Sequence, residues 1–130
     1  MQAQLSANWQ AETLEFIHNA REQLEYAAYV ADLDGVPIGS AACQVFAGLY
    51  PGVFKPEVRK QGYIWGVYVS EAQRGKGVAS TLTSTCTSYL KKIGCTRVTL
   101  NASPMGKGVY EKLGFTRSNE MILELNHDKD

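Results

Sequence analysis

Little in this chain ties it to a membrane, a metal or an oxidising compartment. Its 130 residues contain no apolar run near twenty long, so no helical membrane span is expected. The opening "MQAQLSANWQ" has neither a basic nor an apolar segment, so no signal peptide is expected. Cysteines are few and odd in number. Cys43, Cys86 and Cys95 show no C-x-x-C spacing, which speaks against a disulfide frame or a zinc site. They read as buried free thiols of a reduced, cytoplasmic protein. Of the two histidines, His18 sits in a helical pattern between acids and His127 in the tail. Neither has a Cys or Asp partner at metal spacing, so no metal is expected. Net charge is zero, and no nucleic-acid motif is recognisable, which disfavours a nucleic-acid partner. Repeats, low-complexity tracts and linkers are also lacking. The whole of 1–130 reads as a single domain, long enough for one core and too short for two.

Acids are absent from one long stretch. Residues 1–35 hold Glu12, Glu15, Glu22, Glu25, Asp32 and Asp34 against Arg21 alone, whereas residues 72–110 hold none. That interval carries Arg74, Lys76, Lys91, Lys92, Arg97 and Lys107. A cationic half suits an anionic ligand, although a solvated charged face has the same composition.

The periodicities predict the order α-β-β-β-α-β-α-β. Leu14, Ile17 and Leu24 mark a helix over 10–25. A strand over 26–34 turns at Asp34-Gly35 into a return strand over 36–46, with Pro37 tolerable at its start. Residues 47–62, rich in Gly, Pro and charge, read as a long loop. The apolar "YIWGVYV" predicts a buried strand over 63–69. A helix over 77–93 follows, with Leu82, Tyr89, Leu90 and Ile93 inward and Gly94 ending it. Residues 95–102 alternate as a strand, Val98 and Leu100 against Arg97 and Thr99. The crossover helix makes this strand parallel and adjacent to 63–69. Pro104 opens a short helix running to Lys112, and 115–125 reads as a final strand or hairpin. The tail "NHDKD" is expected to fray.

Between the strand over 63–69 and the helix over 77–93 stands "QRGKGVA" (73–79). Gly75 and Gly77 let the backbone turn sharply and approach a ligand. The helix that follows offers unpaired N–H groups and a partial positive charge, so the junction is an anion seat. Two phosphate motifs do not fit. A P-loop needs G-x-x-x-x-G-K-S/T, and Gly77 is followed by Val78. A dinucleotide fingerprint needs a third glycine, where Ser80 stands, and a later acid, which 72–110 lack.

Arg74-Gly75-Lys76-Gly77-Val78-Ala79 resembles the acetyl-CoA motif of the GNAT superfamily of N-acetyltransferases, Gln/Arg-x-x-Gly-x-Gly/Ala, which follows a buried strand and opens a helix. A second likeness lies one strand later, where "VYEKLGF" (109–115) resembles the family's tyrosine helix. The interval "LNASPMGKGVYEKLGF" is most similar to small bacterial members. The resemblance spans roughly 10–125 and implies an α/β fold with a mixed sheet, antiparallel in its N-terminal half with a parallel central pair, flanked by helices. It implies acetyl-CoA as co-substrate, its pyrophosphate on the amides of 75–80, with Arg74, Gly75, Lys76, Gly77, Val78, Ala79 and Ser80 around it. It also implies that Val67, Tyr68 and Val69 splay from the neighbouring strand and pair with the pantetheine amides. Ser103 stands where the family often has Asn, and Gly106 where Ala is usual; Asn101, two residues before Ser103, is the other candidate for the pantetheine side.

Acetyl transfer needs a neutral amine, a stabilised oxyanion and a donor to the departing thiolate. Tyr110 occupies the family's position for that donor, and a phenol holds its proton at neutral pH. The resemblance puts the oxyanion donor on a backbone N–H of 67–69. No carboxylate stands on 63–69; Glu71 lies near the phosphate turn, while Glu22, Glu25, Glu57 or a water relay are open as the base. Trp65, Tyr68, Tyr50 and Phe54 are candidates for an acceptor wall, and strand alternation puts Trp65 and Tyr68 on opposite faces. The reading is an N-acetyltransferase acting on a small amine or peptide by direct attack in a ternary complex. A CoA-binding regulatory module without turnover is the alternative; it needs 74–79 but not Tyr110.

Family members begin with a strand and a helix before the counterpart of helix 10–25, and only "MQAQLSANW" precedes it here. The first strand is therefore expected to be missing, which leaves 26–34 as an apolar edge. A homodimer through the N-terminal half is expected, or else residues 1–7 fold back as a substitute strand.

Overall fold

The computed structural model describes residues 6–46, 59–103 and 106–125. Its elements run α1 (Trp9–Gln23), β1 (Ala27–Leu33), β2 (Val36–Val45), β3 (Gln61–Val69), α2 (Val78–Lys92), β4 (Arg97–Leu100) and α3 (Lys107–Lys112). The sheet order is β1-β2-β3-β4. The first two pairings are antiparallel and β3 with β4 is parallel, as the crossover through α2 requires. This is the mixed sheet with flanking helices that the sequence implies.

The β1–β2 turn is set locally. Asp34 and Gly35 stand at φ 51° and 84°, and Leu33 pairs with Val36. Two positive φ values match the right-handed twist of the strands they join.

Helix α2 covers one face of the sheet. Leu82, Cys86 and Leu90 from the helix meet Ala41, Cys43 and Ile64 from β2 and β3 in the core. Val98 and Leu100 pack against this cluster while Arg97 is exposed, the alternation read from the sequence. The Cys43 and Cys86 thiols are fully buried, so the pair packs rather than reacts. The Cys86 thiol, then burial, pushes the Cys43 thiol up. Cys95 is only half-buried.

Helix α1 lies on the opposite face. Its Phe16 ring meets Trp65 of β3 edge-on at 5.7 Å, and Ala20 is its buried residue. Leu14, expected to face inward, is 68 % exposed. The buried stripe runs through Ile17, Ala20 and Leu24, as the helical period predicts, and Leu14 lies off it.

Lys60 ties the base of the sheet to the end of α2. Its Nζ donates to the Ile93 carbonyl at 2.7 Å and to Glu25 Oε2 at 2.9 Å. The Ile93 carbonyl is an orphan acceptor at the negative end of the helix, where a cation is favourable. Glu25 is half exposed, so water screens that arm. Lys60→Met is expected to lower stability by about 1 kcal/mol, mostly through the carbonyl. Thermal unfolding checks this; an unchanged Tm would show that water replaces the bond at no cost.

Two expectations change. The predicted strand over 63–69 starts earlier, at Gln61, so β3 takes two residues from the expected loop. Of that loop, 47–58 lies outside the described residues, as do Tyr50, Phe54, Glu57 and Pro104. No strand forms over 115–125: Met121, Ile122, Leu123 and Leu125 are 93, 73, 82 and 71 % exposed. Alternating residues give a strand only where a partner edge accepts them, and no described strand pairs with this segment. Among the described residues, no helix is long and apolar enough to cross a membrane, and no group of three or more His, Cys, Asp or Glu could hold a metal.

Candidate active site

The site begins where β3 and β4 part. Their parallel pairing runs from Gln61–Arg97 to Ile64–Leu100 and stops. β4 ends at Leu100, whereas β3 continues to Val69. Among the described residues the segment 65–69 therefore pairs with β2 on one side and with no strand on the other.

A bulge lies in this segment. Ala42 pairs with Trp65 and Ser40 with Tyr68, so β3 spends three steps against two of β2. Gly66, at φ +65°, absorbs the extra residue. The bulge reverses the alternation: Ile64 and Val67 both turn toward the α2 core. Trp65 and Tyr68 consequently share the outer face, which corrects the expectation that they point apart.

Beyond Val69 the chain makes a 3-10 turn at Glu71–Gln73 and enters the glycine turn. Gly75 and Gly77 take φ +79° and +85°, a region that side chains with a Cβ resist, and a Cβ on either would meet no protein atom within 4 Å. The turn needs glycine for its backbone and leaves the space above it open. Gly77 is the N-cap of α2, and the first helical bond runs from Thr81 N to Gly77 O at 3.1 Å. The amides of Val78, Ala79 and Ser80 thus point out of the helix without intrahelical partners. Arg74 is braced beside them, its Nε donating to Val69 O at 3.0 Å and its guanidinium 6.0 Å from the Tyr68 ring centroid.

These parts line one cleft of about 470 Å³, bounded by Val67, Tyr68, Val69, Arg74, Gly75, Gly77, Val78, Ala79 and Ser80 on one side and Ser103 and Tyr110 on the other. Two expected members are not in it. Lys76, between two positive-φ glycines, turns its exposed side chain outward, where Nζ lies 3.5 Å from Gln73 Oε1. Asn101 follows the end of β4 and lines the neighbouring groove along β4 and α3. Ser103, not Asn101, faces the cleft, and its Oγ accepts from Gly106 N at 3.2 Å. Gln73, Gly106 and Val109, which the sequence reading did not assign to the co-substrate, also line the cleft. Gly106 lies four residues before Tyr110, so helical spacing was the available signal for it.

Tyr110 closes the cleft opposite the glycine turn. Its ring meets Phe115 edge-on at 5.9 Å, and burial raises its pKa above the ordinary tyrosine value. The hydroxyl therefore keeps its proton throughout the neutral range. None of the candidate bases among the described residues lines the cleft, and Glu57 lies outside them. Glu25 accepts from Lys60, and its carbonyl accepts from Tyr89 Oη at 2.8 Å, near the far end of α2. That end is ~20 Å from the glycine turn at helical rise. Glu22 pairs with His18 at 3.4 Å on the exposed face of α1. Glu71 does not line the cleft.

Comparison with known proteins agrees with this geometry. A model of the acetyltransferase (GNAT) family matches residues 2–115. An N-alpha-acetyltransferase MAK3 of Arabidopsis thaliana is 36 % identical over 64 residues, which are 47 % of this chain and 34 % of that protein. The chain thus spans about a third of that curated relative. A crystal structure of a predicted acetyltransferase with acetyl-CoA from Clostridium acetobutylicum is similar at a TM-score of 0.76 and 25 % identity, over 96 % of this chain and 79 % of that one. Glucosamine-6-phosphate N-acetyltransferase from Arabidopsis thaliana shares the fold at a TM-score of 0.71 and 19 % identity, over 96 % of this chain and 82 % of that one. Splayed strand, glycine turn, tyrosine helix and a family match over most of the length lead to one assignment: the chain belongs to the acetyltransferase (GNAT) family.

Proposed function

We propose that the chain transfers the acetyl group of acetyl-CoA to a primary amine by direct attack in a ternary complex. The observation that carries this is the cleft itself, in which an open anion seat and a protonated phenol face each other across an unpaired strand edge. The residues fit the co-substrate. Two positive-φ glycines leave room for a diphosphate, and the amides of Val78, Ala79 and Ser80 are its donors. Arg74, held by Val69 O, adds charge without having to be ordered on binding. The free backbone edge of 65–69 suits an extended chain with amide groups.

In this reading the bound thioester supplies the acyl group and the leaving sulfur. The amine nitrogen forms the new bond to the carbonyl carbon as the carbon–sulfur bond breaks. Tyr110 gives its hydroxyl proton to the departing sulfur, the amine loses a proton to solvent, and the phenolate of Tyr110 takes one back from solvent. Ser103 and the strand edge position the chain that carries the sulfur. Tyr110 in the cleft favours turnover over a binding-only module. Release of free CoA thiol, measured with a panel of primary amines, tests the proposal. CoA binding with no thiol release on any amine would leave the binding module as the better account.

Self-association belongs to the same reading. Among the described residues β1 pairs only with β2, and Val30 on it is 62 % exposed. An apolar edge without Lys or Pro invites pairing with a second copy. A dimer is expected by light scattering at tens of micromolar, and Val30→Lys should give a monomer that still binds CoA. Tyr29 packs against the core, so a change there would confound folding with association. A wild-type monomer would overturn the expectation.

A further inference from the structure

We propose that the acceptor is an arylalkylamine, held in an aromatic slot between α1 and the outer face of β3; this rests on the acetyl-transfer reading. The slot, about 580 Å³, is walled by Trp9, Phe16, Phe46, Tyr63 and Trp65, with Glu12 among its lining residues. Five aromatic rings around one concavity are more than packing requires. Trp9, Phe16 and Phe46 are 45, 53 and 39 % exposed, so the slot displays apolar surface that an apolar ligand would cover.

The rings are held in place. Trp65 Nε1 donates to Gln44 Oε1 at 3.0 Å, and Trp65 is flanked by Phe16 at 5.7 Å and Tyr26 at 6.0 Å. Phe46 and Tyr63 lie 5.8 Å apart. A ligand ring thus meets a preorganised wall, which lowers the ordering cost of binding.

Charge selects the amine. Glu12, steadied by Ser6 Oγ at 2.9 Å, is the charged side chain lining the slot among the described residues, and no Lys or Arg joins it. A carboxylate beside aromatic faces attracts an organic ammonium and repels a carboxylate. Position selects the reach. Trp65 in the slot and Val67 in the cleft are two residues apart on β3, on opposite faces of the sheet across the bulge. Phe46 and Tyr63 of the slot also line the groove that Tyr110 lines, so the slot adjoins the residue placed at the departing sulfur. A ring in the slot with a short alkyl arm suits that arrangement.

The test uses the full chain and four probes: CoA, 2-phenylethylamine, propylamine and 3-phenylpropionate. With acetyl-CoA saturating, kcat/KM for 2-phenylethylamine should exceed that for propylamine by roughly 10- to 100-fold, the discrimination expected for burying a phenyl ring. Calorimetry on the CoA-saturated protein should show binding of 2-phenylethylamine and none of 3-phenylpropionate. Trp65→Ala should abolish the preference while its Kd for CoA stays within twofold of wild type, which reports an intact fold. Phe16→Ala, on another element, should lower the preference in the same way. CoA binding with equal use of both amines would overturn the slot assignment. Equal binding of the carboxylate would overturn the role of Glu12. No CoA binding at all would overturn the acetyl-transfer reading, and with it the acceptor role of the slot.

Discussion

Gly77→Asp is expected to bind no CoA measurable by calorimetry. Gly77 holds φ +85° at the N-cap of α2, and the space in front of it is open. A side chain there strains the backbone by ~1–2 kcal/mol and enters the volume assigned to the diphosphate. Its carboxylate would sit among the free amides of Val78, Ala79 and Ser80, competing for them and repelling the ligand. The same carboxylate is a favourable N-cap for the empty helix, so the apo protein should keep its fold. That separates lost binding from lost structure. CoA at 100 times its Kd should stabilise the wild type by about 2.7 kcal/mol, seen as a rise in Tm, and should leave the variant unmoved. A variant that binds CoA as the wild type does would remove the glycine turn from the site.

Tyr110→Phe should cut kcat by about 10²-fold, the range for losing a positioned general acid, with CoA affinity nearly unchanged. The ring keeps its edge contact with Phe115, so packing survives the loss of the hydroxyl. The pH profile gives an independent readout. Burial disfavours the phenolate and raises the Tyr110 pKa, so the proton-donating form persists above the ordinary tyrosine range. Wild-type kcat should therefore show no alkaline fall from this group below about pH 10. The rise with pH that reflects amine deprotonation should remain in both proteins. Undiminished turnover in Tyr110→Phe would return the residue to the core and give its proton to water.

The glycine turn was legible because backbone chemistry is local. Gly75 and Gly77 between an apolar run and a helical pattern specify a positive-φ turn at a helix N-terminus, whatever surrounds them. Asp34-Gly35 is of the same kind: two residues determine the hairpin. The core helix could be read from its period, since Leu82 and Leu90 fall on one face of α2. The parallel pairing of β3 with β4 followed from chain connectivity. Each of these rests on interactions within a few residues or on the handedness of a connection.

The sequence by itself determined the element order as far as α3, the glycine turn at the start of α2 and the position of Tyr110 one strand beyond it. Tertiary structure decided the rest. The bulge at Gly66 reversed the faces of β3 and put Trp65 and Tyr68 on one side, because pairing with β2 fits three residues against two. It placed Ser103 in the cleft and Asn101 in the groove beside it, because β4 ends at Leu100. It engaged Glu25 with Lys60 near the far end of α2, away from the cleft. It left 115–125 without a strand, since alternation specifies a face to bury but not an edge to pair with. It also gathered Trp9, Phe16, Phe46, Tyr63 and Trp65 from α1, β3 and the end of β2 into a single slot. Periodicity along a chain reports which way a residue faces, and only the packing of one element on another decides what it faces.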